Sequence, residues 1–139
     1  MKLPGSNREL KEVFRNAKTP AVTELNGEYL VDMLTVFPSL KKFSHRKVIY
    51  RENERVSGYN ILFNKIWGRF IVEEDICKNV DSGKVAVINY NRPENSLLIR
   101  GIRDHLRFIE KDLLYIGRFN YLFLGRLQFL GYFSLEKIK

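Results

Sequence analysis

The sequence has few of the residues that build disulfide, metal or redox sites. It contains one cysteine, Cys77, and two histidines, His45 and His105, in 139 residues. One cysteine excludes an intrachain disulfide, and this set is too small for the usual zinc ligand combinations. Cys77 lies among Glu74, Asp75 and Lys78, with no helix cue and no partner histidine nearby, which argues against a catalytic thiolate. No metal or cofactor is therefore predicted.

The chain also lacks long apolar runs and known catalytic motifs. Its longest apolar run, over residues 121–133, is interrupted by Arg126 and Gln128 and is too short and polar for a membrane span. No phosphate loop, nucleophile elbow or dinucleotide fingerprint is present. The first five residues lack the apolar core of a signal peptide. A cytoplasmic protein is expected.

The charge balance is basic, with a net charge of +8 and a pI of about 9.7. Such a balance raises the chance of an acidic partner, but no run of five or six basic residues occurs. Nucleic acid is therefore a disfavoured partner, whereas a hydrophobic small molecule and a homodimer stay open. Hydrophobic residues make up 45% of the chain, enough for a single globular core over residues 1–139.

One helix is predicted at the N-terminal side. Ser6 and Glu9 have the spacing of a capping box, and Thr19-Pro20 ends the helical pattern. Apolar residues recur between them at helical spacing, at Leu10, Val13, Phe14 and Ala17. The helix should span about residues 7–17, with its apolar stripe packed on the core or on one end of a sheet.

The rest of the chain alternates short aromatic and β-branched runs with polar turns, which is typical of an antiparallel meander. We predict eight strands, at residues 28–34, 47–51, 56–63, 66–73, 84–90, 97–107, 113–123 and 127–135. Gly58 marks a bulge or a close backbone approach. No helical crossover separates the runs. The predicted fold is mainly β, an antiparallel up-and-down barrel with one N-terminal helix.

Residues along each strand of such a barrel alternate between the lumen and the outer face. In the last run this alternation assigns five residues to the lumen, namely Leu127, Phe129, Gly131, Phe133 and Leu135. Eight strands leave an interior that is filled by side chains or holds one small ligand.

Four short segments resemble a known family. They are Gly27-Glu28-Tyr29-Leu30-Val31, Ile102-Arg103-Asp104-His105-Leu106-Arg107, Tyr115-Ile116-Gly117 and Tyr132-Phe133-Ser134-Leu135-Glu136-Lys137. The first segment, which follows a short helix and precedes the meander, resembles the lipocalin-like (calycin) architecture and the family named for a Gly-x-Trp-x-Gly motif. The other three segments resemble the companion C-terminal domain of that family. Tyr29 stands where that motif has Trp, and Val31 where it has the second Gly. The resemblance implies a lipocalin-like barrel and a polar site at Asp104, His105 and Arg107, but no substrate.

The densest set of ionisable residues in apolar surroundings is Arg100, Arg103, Asp104, His105, Arg107 and Arg118. If Asp104 points inward, Arg100 or Arg118 is expected to pair with it and to bind a ligand carboxylate or polarise a carbonyl. A lumen-facing His105 would be a candidate acid or base. The competing interpretation, which the sequence favours, is a structural ion pair with His105 at the rim.

Two further groups are weaker candidates. Tyr59, Asn60 and Trp67 lie on strands expected to pair, where they form either an aromatic wall with one amide or ordinary core packing. A local basic patch is the second group, at Lys41, Lys42, His45, Arg46 and Lys47. It attracts phosphate or acidic head groups, or is a solvated loop.

Three functional hypotheses follow from these residues. The first is an intracellular lipocalin-like protein that binds a hydrophobic or amphipathic small molecule, with Arg100, Asp104, Arg107 or Arg118 holding its polar end. The second is an enzyme in the same barrel, with Asp104 or His105 as acid or base. The third is a basic surface module that binds nucleic acid or protein.

Overall fold

The computed structural model describes residues 3–35, 45–77 and 79–138. The first elements in these ranges are a helix, α1 (Asn7–Asn16), and a short 3-10 helix (Val22–Glu24). Eight strands follow: β1 (Gly27–Met33), β2 (His45–Glu52), β3 (Arg55–Leu62), β4 (Lys65–Ile76), β5 (Lys84–Asn89), β6 (Arg103–Glu110), β7 (Leu114–Phe123) and β8 (Arg126–Lys137). Each strand pairs antiparallel with the next, and β1 pairs with β8, so the barrel is closed. The predicted up-and-down barrel with one N-terminal helix is confirmed.

Helix α1 begins and packs as its sequence predicts. The Ser6 Oγ accepts a hydrogen bond from the Glu9 backbone N–H at 3.2 Å, which satisfies one of the free donors of the first turn. Leu10 and Phe14 are fully buried. The helix does not plug an end of the barrel, however, because these side chains pack on the outer face of β7 and β8 beside Ile116.

The run predicted as a strand over residues 97–107 is a strand only from Arg103 onward. The preceding residues turn, with Ile99 N–H donating to the Ser96 carbonyl at 3.1 Å and Ile102 N–H donating to the Ile99 carbonyl at 3.0 Å. The apolar content of residues 97–102 predicts a strand there, but only Ile99 and Ile102 pack against the lumen core. Leu97 and Leu98 face solvent instead and are 79% and 80% exposed.

A bulge in β8 changes which side chains face the lumen. Gly131 lies opposite Phe119, but Phe129 lies opposite Asn120, so Leu130 is an extra residue. An inserted residue reverses the alternation beyond it. Phe133 and Leu135 thus belong to the lumen core, whereas Phe129 packs outside on Tyr132 with ring centroids 5.0 Å apart. The prediction of one uninterrupted lumen face in β8 is wrong for Leu127 and Phe129, which both precede the bulge and lie on the outer face.

The two ends of the barrel differ in how they are filled. At the end carrying the β2–β3, β4–β5 and β6–β7 turns, here called the closed end, Tyr29 and Tyr115 meet edge to face at 5.7 Å above Leu25. The opposite end carries the β3–β4, β5–β6 and β7–β8 connections and is called the open end. Between the two ends, the missing side chain of Gly58 makes room for the Phe70 ring, because a Cβ on Gly58 would lie 2.5 Å from that ring. The expected close approach at Gly58 is confirmed.

Candidate functional site

Four buried polar residues, Lys47, Asn60, Tyr90 and Asp104, form a cluster in the lumen near the open end. None is more than 4% exposed. The Lys47 Nζ donates to Asn60 Oδ1 and to Tyr90 Oη, both at 2.6 Å, and lies 3.8 Å from Asp104 Oδ2. Asn60 Nδ2 donates to the same tyrosine oxygen at 2.9 Å. This lumen cluster is an ion pair with a short hydrogen-bond network around it.

Trp67 and His45 cover the cluster on the solvent side. The Trp67 ring stacks on the Tyr90 ring, with centroids 6.4 Å apart and an interplanar angle of 11°. The His45 ring centroid lies 5.6 Å from that of Trp67. A bulge at Gly68, which has φ of +64°, brings Trp67 opposite Asn60 in the β3–β4 ladder. A Cβ at Gly68 would lie 3.1 Å from Tyr90, so both conformation and space favour glycine there.

Five buried side-chain polar atoms have no hydrogen-bond partner within the described part of the chain, and two of them lie at the lumen cluster: Asp104 Oδ1, an acceptor, and Trp67 Nε1, a donor. Both side chains line a cavity of about 40 Å³. Its apolar lining is Val31, Met33, Ile102, Phe119 and Phe133. A volume of this size holds roughly two or three water molecules. Buried polar groups are normally paired, so an unpaired donor and acceptor beside one cavity mark a place where another molecule binds.

Burial and mutual attraction act in opposite directions on the ion pair. Burial raises the pKa of Asp104, against the lowering effect of Lys47, and burial lowers the pKa of Lys47, against the raising effect of Asp104. Burial, followed by the charge of Lys47, lowers the pKa of His45 to about 4, so His45 is neutral at pH 7. With one cation, one anion and a neutral histidine, the cluster has little net charge.

Arg107 lies on the opposite face of β6 from Asp104. Its guanidinium donates two hydrogen bonds to the Asp81 carboxylate, at 2.7 and 2.8 Å, and a third to the Phe14 carbonyl of α1 at 3.1 Å. Hydrogen bonding to Arg107 also lowers the pKa of Asp81 to about 2. These contacts join the helix, the β4–β5 turn and the barrel wall, so the role visible for Arg107 is structural.

Arg118 and His105 also lie outside the lumen, beneath or beside α1. Arg118 donates to the Tyr132 hydroxyl, and its guanidinium carbon is 4.0 Å from the Phe129 ring centroid. Cation–π contacts of this kind stabilise a buried guanidinium. Among the described residues Arg118 has no carboxylate partner within ion-pair distance. The expectation that Arg118 or Arg100 pairs with Asp104 is therefore wrong, because the cation beside Asp104 is Lys47.

Cys77 has a histidine partner that its sequence neighbours do not reveal. His105 Nδ1 lies 3.2 Å from Cys77 Sγ, although 28 residues separate them in sequence. Burial raises the pKa of the thiol despite nearby Arg118, and burial lowers the pKa of His105 to about 4. The expectation that no histidine lies near Cys77 is wrong, but both groups are neutral at pH 7, which agrees with an unreactive thiol.

The two remaining predicted residues also lie off the lumen. Arg100 donates to the carbonyls of Asn95 and Pro93, at 3.0 and 3.1 Å, and so holds the β5–β6 connection. Tyr59 packs on the outer face against Tyr50.

Of the eight predicted site residues, the structure brings Asn60, Trp67 and Asp104 together at the lumen cluster, and Trp67 and Asp104 line its cavity. Asp104 and His105 point to opposite faces of β6. They therefore do not form an acid–base pair on one bound molecule.

Sequence reasoning missed three residues that line the cavity: His45, Lys47 and Tyr90. The available signal was Lys47 itself, which is in phase with buried Ile49 on β2 and therefore points inward. The run of neighbouring basic residues instead places Lys47 in the predicted basic patch. In that patch Arg46 pairs with Glu28, and Lys41 and Lys42 lie outside the described residues.

Other site types receive no support in the ranges that the structure describes. No group of three or more His, Cys, Asp and Glu side chains there could hold a metal ion. The described part of the chain also holds no helix with the length and apolar character needed to cross a bilayer.

Comparison with known proteins supports the fold and nothing finer. No family model matches the chain, and no curated protein matches it. A crystal structure of a protein from Thermomonospora curvata is similar, with a TM-score of 0.63 and 14% sequence identity over 96% of this chain and 88% of that one. At this identity the likeness shows a shared fold alone.

Proposed function

We propose that this barrel binds a small, uncharged amphipathic molecule at the lumen cluster, as a lipocalin-like carrier or sensor. The observation that carries the proposal is the pair of unpartnered atoms, Asp104 Oδ1 and Trp67 Nε1, beside one cavity. A ligand that donates to the first and accepts from the second would remove the cost of leaving both unpaired. The cytoplasmic location and the possible homodimer expected from the sequence remain part of this proposal.

The cluster favours a hydroxyl or carboxamide head group. Either group both donates and accepts, as the two unpartnered atoms require. A neutral head also suits a site whose cation and anion already pair, whereas an added carboxylate would face Asp104. The cavity of about 40 Å³ accommodates a head group only. The apolar part of the ligand would lie against half-buried Ile102 and Phe119 toward the rim.

Native mass spectrometry of the freshly purified protein is the first test, since a ligand retained from the cell adds mass that denaturation removes. Three eight-carbon probes then compare head groups: 1-octanol, octanamide and octanoate. Trp67 is the only tryptophan, so its emission reports directly on the cavity. We expect saturable emission changes with the alcohol and the amide, and weaker binding of the carboxylate.

The Trp67→Phe variant keeps an aromatic ring and removes the N–H donor. By calorimetry it should bind octanamide about five- to tenfold more weakly, the size of one net hydrogen bond. Tyr59→Phe is the matched control, because Tyr59 lies on the outer face and should bind as the wild type does. Equal affinities of all three proteins, or no saturable binding of any probe, would contradict the proposal.

A further inference from the structure

The open end of the barrel presents an unusual number of apolar side chains to solvent. Twelve large apolar residues are exposed in the described ranges, and seven of them lie at this end. Leu97, Leu98 and Leu124 are 79%, 80% and 86% exposed, and Phe123 is 59% exposed. We call Ile66, Leu97, Leu98, Leu122, Phe123 and Leu124 the apolar tips. A cluster of this kind marks an interaction surface rather than scattered surface leucines.

The apolar tips are held on a rigid frame. The Tyr121 hydroxyl donates to the Leu98 carbonyl at 2.6 Å, and Leu122 N–H donates to the Gly101 carbonyl at 2.7 Å. These bonds fix the β5–β6 connection against the β7–β8 hairpin. The buried Asn95 side chain fixes the same connection to β4, because it donates to the Arg69 carbonyl at 2.7 Å and accepts from the Arg69 N–H at 2.8 Å. The exposure of these leucines is therefore a feature of ordered structure.

Backbone conformation points in the same direction. Leu124 has φ of +51° at the β7–β8 turn, and Phe63 has φ of +53° at the β3–β4 turn. Asn, Asp and Gly are the residues that normally occupy such left-handed hairpin positions. A leucine that is 86% exposed adds little to the core, so folding alone does not explain its presence at a strained position.

The charges around the apolar tips are mostly positive. The tip segments, residues 63–66, 92–100 and 121–127, contain four basic residues, Lys65, Arg92, Arg100 and Arg126, and one acid, Glu94. Glu94 and Arg92 pair at 3.1 Å and their charges cancel, so Lys65, Arg100 and Arg126 give these segments a net charge of +3. Apolar side chains on segments of net positive charge match an anionic bilayer surface, where phosphate groups lie just above the acyl chains.

We propose that the open end docks on an anionic lipid membrane. Leu97, Leu98 and Leu124 enter the acyl boundary together with Phe123, while Lys65 and Arg126 meet the lipid phosphates. The site is peripheral, because it consists of loop tips on one rim of the barrel. If the proposed ligand also binds, docking brings the lumen cavity against the lipid surface, but docking does not depend on that ligand.

Flotation with lipid vesicles tests the docking proposal. The full chain is mixed with vesicles of phosphatidylcholine alone, or of phosphatidylcholine with phosphatidylglycerol. We expect the chain to float with the anionic vesicles and to be released by added salt, because part of the attraction is electrostatic. Failure of the wild type to float with anionic vesicles would overturn the proposal.

Variants at exposed positions assign the contact. The double variant Leu98→Ser/Leu124→Asn should lower the vesicle partition coefficient about tenfold or more, since each apolar anchor contributes separately. Lys65→Gln/Arg126→Gln should lower it on anionic vesicles only. The matched control at the closed end is Leu113→Ser/Lys111→Gln, in which the leucine is 40% exposed. It should partition as the wild type does, and an equal loss there would also overturn the proposal.

Two further results separate this proposal from its alternatives. Size-exclusion chromatography of the wild type and of Leu98→Ser/Leu124→Asn would reveal a dimer held by the apolar tips, and such a dimer would replace the membrane as the partner. Trp67→Phe should lose octanamide affinity and keep vesicle binding. Failure of the ligand proposal and failure of the docking proposal are therefore distinguishable.

Discussion

The turns at the two ends of this barrel place different residues at positions with positive φ. At the closed end the residues with positive φ are Asn53, Ser82 and Asp112, all polar and exposed. At the open end Phe63 and Leu124 also have positive φ, and each is followed by a second such residue, Asn64 or Gly125. Topology therefore does not require apolar residues at hairpin tips. The closed-end turns have residues that tolerate positive φ, whereas Phe63 and Leu124 at the open end adopt positive φ at a conformational cost.

The interior shows the same contrast. Tyr29 and Tyr115 are at most 1% exposed and close the lumen by packing. At the open end the lumen contains the Lys47–Asp104 ion pair, and two of the five unpaired buried polar atoms of the described residues, Asp104 Oδ1 and Trp67 Nε1, lie beside it. Sites that bind ligands are commonly less stable than the scaffold that carries them. The closed end is thus the scaffold, and the open end is the candidate site.

The largest effect should follow from removing packing at the closed end. Tyr115→Ala leaves a cavity beside Tyr29, and the expected loss is about 4 kcal/mol of unfolding free energy. Phe123→Ala at the open end should change it by less than about 0.5 kcal/mol, because that ring is exposed. Urea denaturation followed by circular dichroism measures both. Similar losses in the two variants would remove the distinction between the ends.

The lumen ion pair should rank second. Lys47→Met leaves Asp104 buried without its cation, at an expected cost of about 3 kcal/mol. Lys47→Met/Asp104→Leu removes both charges and should recover most of that loss in the same denaturation assay. Because burial raises the pKa of Asp104, this carboxyl contributes stability at acid pH that is lost as the pH rises above its ordinary value. The single variant should therefore lose more at neutral pH than in acid; an equal loss at both pH values would mean that Asp104 is not buried.

Acid should act on the open end through His45. Its pKa in the folded protein is lowered to about 4, so the unfolded chain binds a proton more readily. Stability is then present above pH 6.5 and falls as the pH drops through about 4, by about 2 kcal/mol after a discount for partial exposure. Comparing wild type with His45→Gln across this range isolates the effect, since both proteins retain His105. An NMR titration midpoint near 6.5 for His45 would contradict it.

The smallest effect should come from exchanging residues between the turns. Leu124→Asn places a residue that tolerates positive φ at the open end and should stabilise the protein by about 0.5–1 kcal/mol. Asn53→Leu, at φ of +57° in the closed-end turn, should cost about 1 kcal/mol. Thermal unfolding measures both changes. Destabilisation by Leu124→Asn would show that this leucine is needed for folding.

Local patterns in the sequence predict the elements well and their faces less well. Alternating runs yielded eight strands, and the Ser6 cap with its apolar stripe located α1. Bulges are different, because the extra residues at Gly68 and Leu130 reverse the alternation without any change of composition. The sequence therefore placed Phe129 in the lumen, and the structure places it outside under α1.

The candidate site was harder to predict because its residues meet only through the closed sheet. Lys47 and Asp104 lie on β2 and β6, which do not pair, and they approach each other across the lumen. Cys77 and His105 likewise come together only because β5 pairs with both β4 and β6 in the sheet. Conversely, Arg100 and Asp104 share parity in sequence, but the turn before Arg103 separates their directions. Whether a position is odd or even predicts the face that its side chain occupies within a regular strand, but not across a turn.

Pairing of β1 with β8 also has a consequence for how the chain folds. Val31 lies opposite Leu135 and Met33 opposite Phe133, so these contacts join residues about a hundred positions apart in sequence. Long-range pairing of this kind is slow to form, because a large loop must close, with a loss of chain entropy, before the stabilising contacts can form. During synthesis β1 has no strand on that edge until β8 has left the ribosome. A nascent chain that stops short of residue 126 keeps two open sheet edges and is exposed to aggregation.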